Sequence, residues 1–301
     1  MTDRKADPAP GAPSLVPVHH EFEPLAGRYA ALLCDVWGVL HNGVEAYEGV
    51  VKALRSYRAQ GGRVLLLSNA PRPGTGIPSQ LEKMGIPREA YDDVLTSGDA
   101  TRASISTGRF GETFWHMGPD RDFPTFHGLP LDQADPDKAD FVLCTGLFDD
   151  DTETPDDYVE MLRRLKTRDL DMVCANPDIV VDRGDRRVFC GGAIAAAYSK
   201  IGGRAHYFGK PHAPIYDLAR ARLKDLTGRE VADSELLAVG DGLLTDIKGA
   251  NEQGIDALFV TGGIAVERCG RDPENPESEK VTEVCAEAGV RPLAAMPRLR
   301  W

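Results

Sequence analysis

Apolar runs of strand length alternate with amphipathic stretches of helix length along most of this chain. The run Tyr29-Ala-Ala-Leu-Leu-Cys-Asp35 is apolar until it ends abruptly in a carboxylate. Residues 46–60 then carry Val50, Val51, Leu54 and Tyr57 at helical spacing and stop at Gln60-Gly-Gly62, which predicts a helix. Arg63-Val-Leu-Leu-Leu-Ser-Asn69 reads as a second strand. A Pro/Gly-rich loop through Pro78, a helix through Leu81 and Met84, and a strand at Asp93–Ser97 follow. Continuous apolar strands alternating with helices predict a parallel sheet covered on both faces.

The middle of the chain repeats the rhythm with its own elements. Strands are predicted at Thr113–Met117, Asp140–Cys144 and Leu170–Ala175, with a helix from Asp156 to Lys166. The final third brings a helix over 213–226, a strand at Glu235–Val239, a helix over 246–253 and a strand at Ala257–Val260. The tail after Arg268 is charged and Pro-rich, with one short helical stretch. The expected organisation is an α/β protein. A flexible lead-in over 1–23 precedes a discontinuous Rossmann-like parallel-sheet core (24–105 and 204–301), into which a smaller α/β cap domain (106–203) is inserted. In an open parallel sheet, ligands bind beyond the carboxyl ends of the strands, and polar groups gather there in this sequence.

Composition narrows the function. At 301 residues the chain is long enough for about two domains. Its 42% hydrophobic and 27% charged residues are those of a globular protein. The formal charge of −12 disfavours a general nucleic-acid binder, which needs a basic face, but leaves room for a small anionic substrate in one basic pocket. No apolar run approaches the ~20 residues of a membrane span. Six cysteines without a CxxC pair read as buried thiols in a reducing cytoplasm. A homo-oligomer is left open.

Four strand ends carry candidate chemistry. Asp35, directly after the first strand and before a Gly turn, is placed as a nucleophile or metal ligand, or as a turn or cap residue. Ser68 and Asn69 close the second strand, where a hydroxyl and an amide could hold phosphate oxygens or simply make a turn. Lys210, after Ala205-His-Tyr-Phe208, is a point charge able to hold a phosphoryl group and a carboxylate. Gly240-Asp241-Gly-Leu-Leu-Thr245-Asp246 sets two carboxylates at a sheet mouth, hard oxygen ligands suited to Mg²⁺.

Taken in order, these four features resemble the motifs of the haloacid-dehalogenase-like hydrolase superfamily. The insert, together with Ala175-Asn-Pro-Asp178, Gly191–Ala197 and Gly209–Tyr216, is similar to its class IIA, NagD-like phosphatases. The resemblance covers roughly residues 29–265 and implies a Mg²⁺-dependent phosphatase acting on a small phosphorylated metabolite. Asp35 would attack the phosphate ester to give an aspartyl-phosphate, which water hydrolyses. Metal ligands would be Asp35, the Trp37 carbonyl and Asp241, with Asp246 behind them orienting water or Lys210. Ser68, Asn69 and Lys210 would clamp the phosphoryl group.

Trp37 departs from that pattern, because phosphatases of the superfamily carry a second Asp there as acid and base. An indole N–H donates but does not titrate usefully. His41, six positions after Asp35, is the candidate replacement acid–base; His212 is a weaker one that could equally open a helix. Asn176 and Asp178 are the cap residues expected at the substrate, and Arg72 either adds charge near the phosphate or lies on the surface. The acidic run Asp149–Asp151 is expected to be a solvated loop. Two other readings stay open: a catalytically impaired protein that binds a phosphorylated metabolite, and a different aspartyl-nucleophile hydrolase such as a dehalogenase.

Overall fold

A computed structural model describes residues 15–184 and 186–301. In chain order its strands are β1 (Ala31–Cys34), β2 (Arg63–Ser68), β3 (Asp93–Thr96), β4 (Thr113–Met117), β5 (Asp132–Gln133), β6 (Phe141–Cys144) and β7 (Asp171–Cys174). They continue with β8 (Val180–Arg183), β9 (Arg186–Phe189), β10 (Arg204–Tyr207), β11 (Leu236–Gly240), β12 (Asp256–Val260) and β13 (Ala294–Met296). Six form the core sheet in the order β13-β12-β11-β1-β2-β3, every neighbouring pair parallel.

Burial on both faces explains the continuous apolar runs. Leu32, Cys34, Val64, Leu66, Leu237 and Val239 pack to one side with Val50, Leu54 and Tyr57 of the helix Val50–Ala59. Leu33, Leu65, Leu67, Ala238 and Phe259 pack to the other, with Ile215, Ala219 and Leu223 of the helix Ala213–Thr227. From central β1 the chain moves outward through β2 and β3, leaves for the cap, and returns at β11 on the other side of β1. The crevice at that reversal, beyond the carboxyl ends of β1 and β11, is where such sheets bind ligands.

The cap holds a second parallel sheet, β10-β7-β6-β4-β5, and a separate antiparallel hairpin, β8–β9. Met117, Val142, Met172 and Cys174 pack beneath Leu162, Ile194 and Tyr198 of the cap helices. On the opposite face Phe114, Phe141 and Leu143 join the same apolar cluster as the core residues Ala100 and Ile105. One continuous interior therefore links cap and core.

Two expected boundaries are corrected. The cap does not end at residue 203: β10 pairs with β7, Ala205 opposite Met172, so residues 204–207 belong to the cap sheet rather than the core. The lead-in over 1–23 is partly packed structure. Residues 1–14 lie outside the described residues, but Val16 N donates to Thr282 Oγ1 (2.9 Å), His19 N donates to the Ala295 carbonyl (2.8 Å), and Phe22 is fully buried against Tyr57 and Trp301. The tail lies in the core as expected, through the helix Ser278–Glu287, and adds the unforeseen edge strand β13. A three-residue strand is too short to stand out by periodicity.

The run Asp149–Asp151 is likewise not simply solvated. Asp150 accepts from Arg121 (2.5 Å) and Arg183 (2.6 Å), and Asp151 pairs with Arg183 and Arg186 (3.3 Å each), which ties the β8–β9 hairpin to the cap body. All six cysteines are buried and unpaired. Among the described residues no helix is long and apolar enough to cross a membrane.

Candidate active site

Each strand end delivers its side chain to one point. Asp35 N continues the ladder by donating to the Val239 carbonyl (2.8 Å), so the Asp35 carboxylate emerges where β1 and β11 stop. Ser68 is the last residue of β2. Its Oγ accepts from Ala70 N (3.2 Å), which leaves the hydroxyl proton free to donate. Asp246 rides a wide helical turn, Leu243–Ile247, opened by Gly242. Lys210 sits in the return from the cap, and its ammonium donates to Asp35 Oδ1 (2.5 Å) and Asp246 Oδ1 (2.7 Å). One of its three donors remains for a third acceptor.

The electrostatics follow from burial. Burial, and then the charge of Asp246, push the Asp35 carboxyl well above the usual carboxylate range, with Lys210 pulling the other way. Asp241 is pushed up to about 7 by the same two causes in the same order. Burial opposes the charge of Lys210, but the Asp246 and Asp35 carboxylates outweigh it and hold the ammonium above its ordinary range. One ammonium cannot neutralise a cluster of three ionised carboxylates, and this excess of negative charge adds to burial in keeping protons on Asp35 and Asp241.

That cluster fits a divalent cation. Asp35, Asp241 and Asp246 are buried and present oxygens within 4.8 Å of one another. Asp241 Oδ2 accepts from Ile264 N (2.7 Å), which aims the carboxylate while its second oxygen stays uncommitted. Gly38 and Gly263 make that position accessible, since a Cβ on either would stand about 2 Å from Asp241 Oδ2. No backbone N–H among the described residues donates to the Trp37 carbonyl. Asp246 is differently engaged: one oxygen takes Lys210 and the other takes Gly242 N (3.0 Å), so it orients Lys210 rather than presenting a free oxygen.

Asn69 is committed in the same way. Its amide donates to Asp178 Oδ1 (2.8 Å) and to the Lys210 carbonyl (3.1 Å), while its oxygen accepts from Lys210 N (2.8 Å). The Asn69 side chain thus braces the Lys210 loop and the cap, with neither amide hydrogen left for a phosphate. Asp178 enters the cavity from the cap, its pKa raised by burial. Asn176 stays behind it and shapes the loop, its side-chain oxygen accepting from Asp178 N (3.1 Å).

Two expected contributors lie elsewhere. His41 is outside the cavity wall. Its ring stands edge-on to Trp37 (centroids 5.2 Å apart), its Nδ1 accepts from Gly43 N (2.9 Å), and burial lowers its pKa to about 4. A neutral imidazole held under an indole does not fit the acid–base role expected of it. Arg72 pairs with buried Asp122 (3.5 Å) at the joint between core and cap, away from the phosphate position. His212 precedes the helix Ala213–Thr227 and stacks on Tyr207 (5.0 Å).

The reading from sequence missed the roof. A cavity of about 750 Å³ lies between core and cap, walled on the cap side by Ile179, Val180, Val181 and Asp182, and on the core side by Tyr47, Leu243, Leu244 and Ile264. Trp37 Nε1 donates to the Asp182 carbonyl of β8 (2.5 Å), and Gly184 N donates to the Asn42 carbonyl (3.2 Å). A signal existed: Val180-Val181 and Val188-Phe189 flank a polar turn containing Gly184, the pattern of a hairpin.

Comparisons with known proteins agree with this geometry. Residues 32–129 match the family model of the haloacid dehalogenase-like hydrolases, and residues 207–287 match a second, HAD-hydrolase-like model. A hydrolase of the haloacid dehalogenase-like family from Brucella suis 1330 superposes with a TM-score of 0.83 at 40% identity, over 93% of this chain and 99% of that one. The ribonucleotide monophosphatase NagD of Escherichia coli (strain K12) is 24% identical over 78% of this chain and 88% of its own length. The 5'-nucleotidase YutF of Bacillus subtilis (strain 168) is 25% identical over 82% and 93%.

Proposed function

Because the chain belongs to the haloacid dehalogenase-like hydrolases, with the inserted α/β cap of the NagD-like class, we propose that it hydrolyses a small phosphomonoester through an aspartyl-phosphate on Asp35. The observation that carries this reading is the Lys210 ammonium bridging Asp35 and Asp246 beside the uncommitted oxygen of Asp241. Relatives named as a ribonucleotide monophosphatase and a 5'-nucleotidase support it.

In this mechanism Asp35 is the nucleophile, its carboxylate held by Lys210. The free donor of Lys210 and the Ser68 hydroxyl bind the phosphoryl oxygens. Asp246 and Asn69 position Lys210 from opposite sides, through its ammonium and its backbone. A divalent cation, taken to be Mg²⁺, would be held by Asp35, Asp241 and the Trp37 carbonyl and would offset the repulsion between a carboxylate and a dianionic phosphate. The cap closes over the ester and excludes bulk water. The cytoplasm, where six buried thiols stay reduced, is the proposed location.

The test is phosphate release from an ester panel with Mg²⁺ and with chelator. The wild type should release phosphate only with the ion, and Asp35→Asn should lose on the order of 10³-fold or more. No ion-dependent release from any ester would sink the proposal.

A further inference from the structure

Breaking a P–O ester bond leaves charge on the departing oxygen, and a side chain that protonates it speeds the step by about 10²–10⁴-fold. An alcohol ionises about as reluctantly as water, at about 15.7, so an alkyl ester needs that proton most. Trp37 cannot supply it. Its N–H is given to the Asp182 carbonyl (2.5 Å), and an indole does not titrate usefully.

Most titratable groups on the cavity wall are poor donors. Asp246 spends one oxygen on Lys210 and the other on Gly242 N. Asp182 meets Arg187 with both oxygens (2.9 and 3.4 Å), and Glu287 pairs with Arg268. Asp241 belongs to the cation position. The Lys210 ammonium is held above its ordinary range by Asp246 and Asp35, and burial raises the Tyr47 phenol above its own. Both therefore release a proton less readily than usual.

Asp178 differs. It is half-buried and reaches the cavity from the cap, whereas Asp35 enters from the core. Its Oδ1 accepts from Asn69 Nδ2 (2.8 Å), and the same nitrogen donates to the Lys210 carbonyl (3.1 Å). Asn69 also follows Ser68 directly in the chain. One amide thus ties the Asp178 carboxyl to both segments proposed to hold the phosphoryl group. Among the described residues no hydrogen bond engages Asp178 Oδ2, which leaves that oxygen able to carry a proton into the cavity. Burial favours the protonated form, and the charge of Asp246 adds to it. The Asn69 bond and the Lys210 ammonium oppose them, but the net shift is upward.

Resting on the phosphatase reading above, we propose that Asp178 is the general acid–base of the reaction, filling from the cap the role that an indole at position 37 cannot fill. An Asp35 oxygen bonds to phosphorus as the ester P–O bond breaks. The electron pair stays on the leaving oxygen, which takes the Asp178 proton and departs as an alcohol. The Asp178 carboxylate then draws one proton from the water that adds to phosphorus. The bond from phosphorus to the Asp35 oxygen breaks, its electron pair returning to the carboxylate, and hydrogen phosphate keeps the other proton of that water. Asp178 ends protonated, as it began.

Asp178→Asn keeps an oxygen for Asn69 and removes only the proton. The experiment compares kcat/KM of wild type and Asp178→Asn, with Mg²⁺, on acetyl phosphate, phenyl phosphate, glycerol 3-phosphate, ribose 5-phosphate and a nucleoside 5'-monophosphate. Their leaving oxygens ionise near 4 for a carboxyl and 10 for a phenol, and near 15.7 for the alcohols. The expected loss grows in that order, from less than about tenfold for acetyl phosphate to at least about 10²-fold for the alkyl esters. Retained acetyl phosphate turnover also shows that the variant is folded. Asn69→Ala loosens the brace but keeps the acid, so it should slow every substrate by a common factor. An equal loss on all substrates in Asp178→Asn overturns the proposal, as does the graded pattern appearing in Asn69→Ala. A wild type that cleaves acetyl and phenyl phosphate but no alkyl ester overturns it too. Inactivity of the wild type toward all five overturns the phosphatase reading itself.

Discussion

The indole nitrogen of Trp37, two residues past the proposed nucleophile Asp35, donates to the main-chain carbonyl of Asp182 in the cap hairpin at 2.5 Å. The ring also fills the space over Gly43, where a Cβ would stand 2.4 Å from it. Trp37 therefore joins the loop after β1 to the roof of the cavity.

Replacing Trp37 with Phe keeps a ring and removes that hydrogen bond. Losing one such bond costs about 1 kcal/mol, equivalent to about a fivefold rise in KM if it sets the closed cap. Hydrogen exchange of residues 180–189 should quicken in Trp37→Phe, and unchanged exchange would contradict a latching role.

Lys210 is buried between Asp35 and Asp246. Lys210→Met leaves buried carboxylates without their counter-charge, a loss of about 3–5 kcal/mol, along with activity. Thermal melting should show the loss at pH 7.5, and added Mg²⁺ should recover part of it.

The pH dependence without metal follows from Asp241 and Asp35, both raised in the fold. Between the ordinary carboxylate range and about pH 7 the folded state binds more protons at these sites than the unfolded chain. Their contribution to stability is therefore greatest at low pH and declines as pH rises through that window. Mg²⁺ should then raise the melting temperature more at pH 7.5 than at pH 5. An equal rise at both would show that these carboxylates do not hold the ion.

His41 is neutral at working pH and sits beneath Trp37. His41→Ala should reduce turnover only through packing, by about tenfold or less, and leave the shape of the pH–rate profile between pH 5.5 and 8 unchanged. A lost limb in that profile would restore it as an acid–base.

The strands of the core sheet were legible because β1, β2 and β11 are buried on both faces, and such strands must be apolar throughout. The site was legible for a related reason. Asp35, Ser68 and Asp241 break those runs abruptly, and the ends of parallel strands converge on one crevice. Arg204–Tyr207 was assigned to the core because a short half-buried strand carries no mark of which sheet it joins. Asn69 was expected at the phosphate, but an amide's partners depend on what folds against it, here the Asp178 loop and Lys210.

By itself the sequence determined the alternation of strands and helices, the insertion of a second domain, and which strand ends carry charge, since each depends on local pattern. The tertiary structure alone decided that Trp37 meets Asp182 across 145 residues of chain, that Ile179 and Leu244 line one cavity, and that His41 is buried outside its wall. Those relationships are set by how the cap packs on the core, and packing between distant segments leaves no periodicity in either one.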